Sequence, residues 1–362
     1  MTRIDRIEAS VYRMPFERPE SDGTLTWDHT TVVIAEVRAG PVTGIGLTYG
    51  PAACAAVIRD VLAERVVGLD AFDIPAAWVS MVRAVRSAGR PGIASMAIAA
   101  VELGLWDLKA KLLEVPLFRL LGAAREEVPT YASGGFTSLD DRELSEHLRA
   151  WAAQGFARVK MKIGIDGGHD PARDLDRIAL ARKAVGPDVE LLVDANGAYA
   201  RKQAIRIGRA LPSEGVTWFE EPVSSDDLDG LREVREATDA EVAAGEYGYD
   251  VFDFARLVTA VDVLQADVTR CGGIHGWLRA AAIAASRSME VSGHTAPTMH
   301  LHVACAAPNL RHLEYFHDHA AVERLLLDGA VEPERGKLRP DPGRPGHGVD
   351  LRRADAERYR KG

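Results

Sequence analysis

From residue 128 onward the chain alternates short apolar runs with helical stretches, which predicts an α/β protein built on a closed parallel barrel. Eight candidate strands fall at 128–133, 157–163, 190–194, 216–220, 241–245, 261–265, 289–292 and 312–315. Helical patterns fit between them, for example at 139–154, 171–185, 201–211, 228–236 and 275–285. Run after run ends in a polar residue able to do chemistry, from Lys160 to Glu314, at intervals of about 20 to 30 residues, one strand plus one helix. The length of 362 residues exceeds the roughly 250 of a plain barrel, so a second, smaller domain is expected.

That smaller unit lies first. Segments 4–13 and 30–38 have strand character, the second through Thr31, Val32, Val33, Ile34 and Val37. Polar or glycine-containing loops are expected at 16–29 and 44–52, and helices at 53–66, 74–87 and 92–121. The expected organisation is an α+β capping domain over 1–125, a barrel over 126–332, and a return segment over 333–362 that packs toward the cap. Its Pro- and Gly-rich part, 333–348, reads as extended.

An apolar fraction of 47% and a charged fraction of 27% suit an ordinary globular chain with a large core. The net charge of −9 is spread out, and no basic run could follow a phosphate backbone, which argues against nucleic acid. An acidic protein that holds an anionic substrate needs local cations or a metal. Cys54, Cys271 and Cys305 are far apart and suggest neither a disulfide framework nor a zinc site. Residues 1–7 show no signal-type core and no run reaches membrane-span length, so a cytoplasmic protein is expected. The run Gly272-Gly273-Ile274-His275-Gly276 lacks dinucleotide-fingerprint spacing and reads as a turn with room for an anion at a helix N-terminus.

Asp194, Glu220 and Glu246 close three successive candidate strands. Three converging carboxylates repel one another unless a cation sits between them, and hard oxygen ligands select Mg²⁺, with Mn²⁺ as a substitute. The alternative is that each merely caps the helix after its strand. Lys160 and Lys162, two residues apart, share one face and point into the barrel, where mutual repulsion and a nearby cation would lower a pKa and make a base. For Lys160 a simple ion pair with a carboxylate is the rival reading. Asp267 and His294 end adjacent strands, and a carboxylate on one ring nitrogen would fix the tautomer of a general acid/base. His300, His302, His312, His317 and His319 have no assigned partner and read as helix-face or loop residues, the last two able to line the mouth.

With these residues in place the chain resembles the enolase superfamily, in its mandelate racemase and muconate lactonizing enzyme group, and within that the mandelate racemase-like branch. Asp267 carries the branch: muconate lactonizing relatives have Lys where this chain has Gln265-Ala266-Asp267 ahead of Cys271-Gly272-Gly273. The resemblance implies a modified (β/α)7β TIM barrel under an N-terminal α+β cap. It also implies Mg²⁺ on Asp194, Glu220 and Glu246, Lys162 as one base and Lys160 as its modulator at the substrate carboxylate. The His294–Asp267 dyad would be the opposite base, Glu314 the acid that hydrogen-bonds the developing enolate, and Asn196 a substrate contact. Specificity would come from cap loops at 15–29 and 47–53, with Trp27 and Tyr49 as substrate contacts. The implied step is removal of the proton α to the carboxylate of a small molecule. Dehydration of an acid sugar to a 2-keto-3-deoxy acid is the first expectation. Racemisation, epimerisation or cycloisomerisation comes next, and a non-catalytic metal- or ligand-binding barrel is the alternative from another class. Relatives are usually homo-oligomers.

Overall fold

The computed structural model describes residues 2–361. Its N-terminal part is an antiparallel sheet of β1 (Arg6–Ser21), β2 (Thr26–Ala39) and β3 (Val42–Tyr49), with Arg360–Lys361 added beside β1. The segment expected as a loop at 16–29 is mostly hairpin: pairing resumes at Glu20↔Trp27 and Ser21↔Thr26 after an irregularity between Pro15 and Glu20. Only the turn remains, closed by Asp22 Oδ1 accepting from the Thr24 and Leu25 amides at 2.6 and 2.8 Å. Polar side chains there mark a solvated ribbon rather than missing strand, since backbone pairing does not require apolar faces.

The expected loop at 44–52 is likewise strand as far as Tyr49. Gly44 and Gly46 are there for packing: a Cβ on either would stand 2.1 Å from a carbonyl oxygen, of Gly104 and Ala100 respectively, on the helix Ile93–Leu112. The long helix expected at 92–121 breaks after Leu112 and resumes at Leu117–Leu121, since Pro116 cannot continue the hydrogen-bond ladder. The helix at 53–66 contains a π-turn at Ile58–Leu62.

The barrel follows as β4 (Val128–Gly134), β5 (Arg158–Lys162), β6 (Glu190–Asp194), β7 (Val216–Glu220), β8 (Glu241–Ala244), β9 (Val263–Ala266), β10 (Val291–Gly293) and β11 (Leu310–Phe316). All eight run parallel in sequence order, and β11 pairs with β4 to close the ring. Four barrel helices are capped by Asp140, Asp170, Asp227 and Asp250, and the helix Arg201–Ala210 that follows Asp194 starts at Ala200 without a side-chain cap, so the carboxylates at the strand ends do not serve as caps.

The cap is tied to the barrel by buried polar contacts. Glu102 accepts from the Ile274 and His275 amides at 2.8 and 3.0 Å, so the acceptor at that helix N-terminus comes from this chain's own cap. Trp78 Nε1 donates to the Gly272 carbonyl, and Thr48 Oγ1 to that of Thr269. In the tail, Lys337–Leu338 pairs with the start of β4, and the His347 amide donates to Asp107 Oδ1 on the cap helix at 2.7 Å. Cys54, Cys271 and Cys305 are free and buried. Among the described residues no helix is long and apolar enough to cross a membrane.

Candidate active site and metal centre

Parallel register sets the first part of the site. Lys162 lies opposite Asp194 and Asp194 opposite Glu220, so three side chains at the C-terminal ends of β5, β6 and β7 face the same mouth. Glu246 joins them from just beyond β8 through a turn that needs glycine: Gly245 has φ +140°, and a Cβ there would lie 2.0 Å from the Gln265 carbonyl oxygen. Ligand oxygens of Asp194, Glu220 and Glu246 lie within 4.8 Å of one another, and all three residues are buried. Buried, convergent and all-oxygen, this set fits Mg²⁺.

The two lysines are spread over these anions. Lys160 Nζ stands 2.5 Å from Glu220 Oε1, 2.9 Å from Glu314 Oε1 and 3.7 Å from Asp194 Oδ2. The Lys162 ammonium bonds Asp194 Oδ2. Mutual repulsion was expected to lower their pKa values, but the opposite holds. Burial is the largest influence on Lys162 and would lower it, as Lys160 does, but Asp194, Glu314 and Glu220 together outweigh them; Lys160 is likewise held up against burial by Glu220 and Glu314. More carboxylates than cations meet here, so the local field favours protonated lysine. The ion-pair reading of Lys160 is thus what the geometry contains.

Across the mouth, His294 Nδ1 bonds Asp267 Oδ2 at 2.9 Å, while Nε2 faces Glu246 Oε2 at 3.2 Å and Glu314 Oε2 at 3.8 Å. Burial alone would lower His294; Glu246 and the Asp267 hydrogen bond overcome it and hold the imidazole up at about 10. Asp267 is itself fixed by the Thr269 amide and hydroxyl, both at 2.7 Å. Glu314 Oε2 accepts from the Thr295 amide at 3.0 Å. Burial would raise this carboxyl, but Lys160 and His294 bring it down to about 2.

Asn196 belongs to the same floor, with φ +46° and its amide donating to Asp194 Oδ1 at 2.9 Å. Tyr49 and Trp27 come from the cap. Tyr49 stacks on His319 with ring centroids 3.4 Å apart, and Trp27 Nε1 donates to Asp318 Oδ2 at 3.4 Å. His317 and His319 thus stand in the first turn after β11 beside the mouth, whereas His300 and His312 are buried and bonded, to the Val268 amide and to Ser292.

Three further residues complete the site. Arg270 bridges Glu246 at 3.2 Å and Asp267 at 3.4 Å, and its spacing of three from Asp267 was the available sign. Glu221, 2% exposed with φ +36°, adds a fourth buried carboxylate beside the triad, as Glu220-Glu221-Pro222 could have suggested. Asp318 had no sequence signal of its own.

Comparison with known proteins assigns the family. Residues 6–122 match the mandelate racemase/muconate lactonizing enzyme N-terminal domain, and 143–356 the enolase C-terminal domain-like family. This chain belongs to the mandelate racemase/muconate lactonizing group of the enolase superfamily. It is similar to 3,6-anhydro-alpha-L-galactonate cycloisomerase of Streptomyces coelicolor, 32% identical, covering 96% of this chain and 97% of that one. A mandelate racemase/muconate lactonizing enzyme-like protein of Rubrobacter xylanophilus superposes with a TM-score of 0.96 at 49% identity, covering 99% of this chain and 100% of that one. The L-talarate/galactarate dehydratase of Salmonella typhimurium, solved with Mg and L-lyxarohydroxamate, gives a TM-score of 0.92 at 29% identity, covering 99% and 93%. The enolase-superfamily barrel with its N-terminal cap is therefore shared by sequence and by shape.

Proposed function

We propose that this protein removes the proton α to the carboxylate of a small hydroxy acid, and that the reaction is dehydration of an acid sugar to a 2-keto-3-deoxy acid. The observation that carries it is the placement of two proton-transfer groups, Lys162 on β5 and His294 after β10, on different sides of one buried carboxylate triad. Asp194, Glu220 and Glu246 would hold Mg²⁺, which supplies positive charge against the substrate carboxylate. With the carboxylates so neutralised, Lys162 would be freed from its pairing to Asp194 and could accept the α-proton. Lys160 would hold the carboxylate oxygens as charge moves onto them, the kind of preorganised stabilisation that often dominates a rate enhancement, and Glu314, ionised beside Lys160 and His294, would join it only after taking up a proton. His294, held by the Asp267 carboxylate at Nδ1, would donate a proton to the departing β-hydroxyl.

The similarity to acid-sugar dehydratases, with Mg present in the Salmonella neighbour, supports this reading. Cycloisomerisation is the second reading, favoured by the 32% identity to the Streptomyces enzyme over nearly the whole of both chains. The experiment is incubation with a panel of aldonic, aldaric and anhydro acids in D₂O with Mg²⁺. Deuterium uptake with keto-acid formation and loss of water from an open-chain acid is expected; keto acid formed only from the anhydro acids, by opening of the ring with no water lost, would replace dehydration by cycloisomerisation. The same family reading carries a cytoplasmic homo-oligomer, which light scattering and cell fractionation test.

A further inference from the structure

Above Lys162 the mouth is walled by the cap hairpin and the turn after β11, and this wall is acidic. Glu20 on β1 pairs in register with Trp27 on β2, and both side chains reach Asp318. Burial and the facing Asp318 carboxylate push Glu20 up to about 9, while burial pushes Asp318 up to about 6, so the two share one proton at neutral pH. Aromatic rings connect them to the catalytic end. Trp27 stands edge-on to Phe136 at 5.6 Å, Phe136 edge-on to Phe316 at 5.9 Å, and Lys162 Nζ lies 5.9 Å from the Phe316 ring. Beside them His319 is 8% exposed, yet its Nδ1 has no hydrogen-bond partner, and neither does Glu20 Oε2. Two buried polar atoms of this wall are thus left without a partner inside the chain.

The hairpin is seated rather than free. Thr137 donates its amide to the Ser21 carbonyl at 2.8 Å and its hydroxyl to that of Asp22 at 2.6 Å, and the Gly167 amide donates to the Gly23 carbonyl at 3.0 Å. The cations near this wall are committed elsewhere: Lys160, Lys162 and Arg270 to the metal-site and dyad carboxylates, and Arg18 to Glu143.

We infer that Glu20 and Asp318, with Trp27 and His319, form the distal subsite of this mouth and select a monocarboxylic acid whose far end carries hydroxyl groups, against the corresponding diacid. This rests on the proposed reaction for its direction. An α-carbon between Lys162 and His294, with its carboxylate at Lys160, sends the remaining carbons along the aromatic wall to the acid pair. A terminal hydroxyl can donate to Glu20 Oε2 or Asp318. A terminal carboxylate would meet a negative pair with no cation to offset it, a repulsive contact of the sort that sets specificity.

The test is calorimetric titration of the Mg²⁺-loaded full chain with acids that differ only at C6: gluconate against glucarate, and galactonate against galactarate. The monoacid of at least one pair is expected to bind on the order of tenfold tighter or more. In the Glu20→Gln, Asp318→Asn double variant the ratio should collapse through stronger diacid binding, with the Mg²⁺ titration unchanged. The single Asp318→Asn variant, which removes the charge that the pair keeps at neutral pH, gives the same readout if the double variant does not fold. Equal or reversed preference in the wild type overturns the subsite, as does a preference that survives the substitutions. Monoacid preference without deuterium exchange upholds the subsite and sinks the reaction; no binding of any acid sinks both.

Discussion

His294 works because its neighbours divide its two nitrogens. Asp267 holds Nδ1 at 2.9 Å, and that leaves Nε2 pointing at the space between Glu246 and Glu314. Replacement by asparagine should lower turnover on the order of 10²–10⁴-fold in an exchange assay at saturating substrate. Magnesium affinity, measured by calorimetry, should stay nearly constant, since the imidazole touches only one of the three carboxylates. Unchanged exchange would remove the dyad from the mechanism. Asp267→Asn should act through the histidine: the amide no longer stabilises the imidazolium, so the pH at which activity falls on the alkaline side should move down. The sign follows from His294 being held at about 10 by its carboxylates, because losing one of them lowers it. A pH profile identical to the wild type would contradict this.

At the scale of the element, the site depends on where strands stop. β8 ends at Ala244, and the single residue Gly245 turns the chain so that Glu246 reaches Asp194 and Glu220. Gly245→Ala would put a methyl group 2.0 Å from the Gln265 carbonyl oxygen at a φ that L residues avoid. A loss of about 2 kcal/mol or more is expected. The expected pattern is a lower melting midpoint together with weaker Mg²⁺ binding. A variant with full stability and full metal affinity would show that the turn tolerates a side chain after all.

On the scale of the whole molecule, the cap and the barrel are joined through Glu102, which burial raises from the ordinary 4.5 to about 7. A carboxyl raised on folding stabilises the native state below pH 4.5 and loses that contribution as pH climbs to about 7. The loss is of order 3 kcal/mol. Glu102→Gln does not titrate, so its melting midpoint relative to the wild type should shift in the variant's favour between pH 5 and pH 8. A constant gap would mean that Glu102 stays ionised throughout. A second global readout is the metal itself: Mg²⁺ at a hundred times its dissociation constant should add about 2.7 kcal/mol and raise the melting midpoint by a few degrees, reversed by a chelator. No shift would mean that the triad does not hold the ion in the native fold.

The rhythm of strands and helices, and the polar residues at the strand ends, were legible in the chain because a barrel repeats one local unit and each unit obeys local propensity. Asp194, Glu220, Glu246, Lys160, Lys162, Asp267, His294 and Glu314 could be chosen on that basis, and the structure brings these residues together. The cap was less legible. Its hairpin carries polar residues at 16–29, and β3 carries Gly44 and Gly46, which read as loop until the helix packed against them is seen. The sequence by itself determined the fold class and the inventory of chemical groups, since both follow from residue types at regular spacing. Only the tertiary structure decided the ion pairing of the lysines and the acidity of the wall above them. Those depend on which carboxylates come within a few ångströms after the ring closes and the cap docks, and no linear spacing encodes that distance.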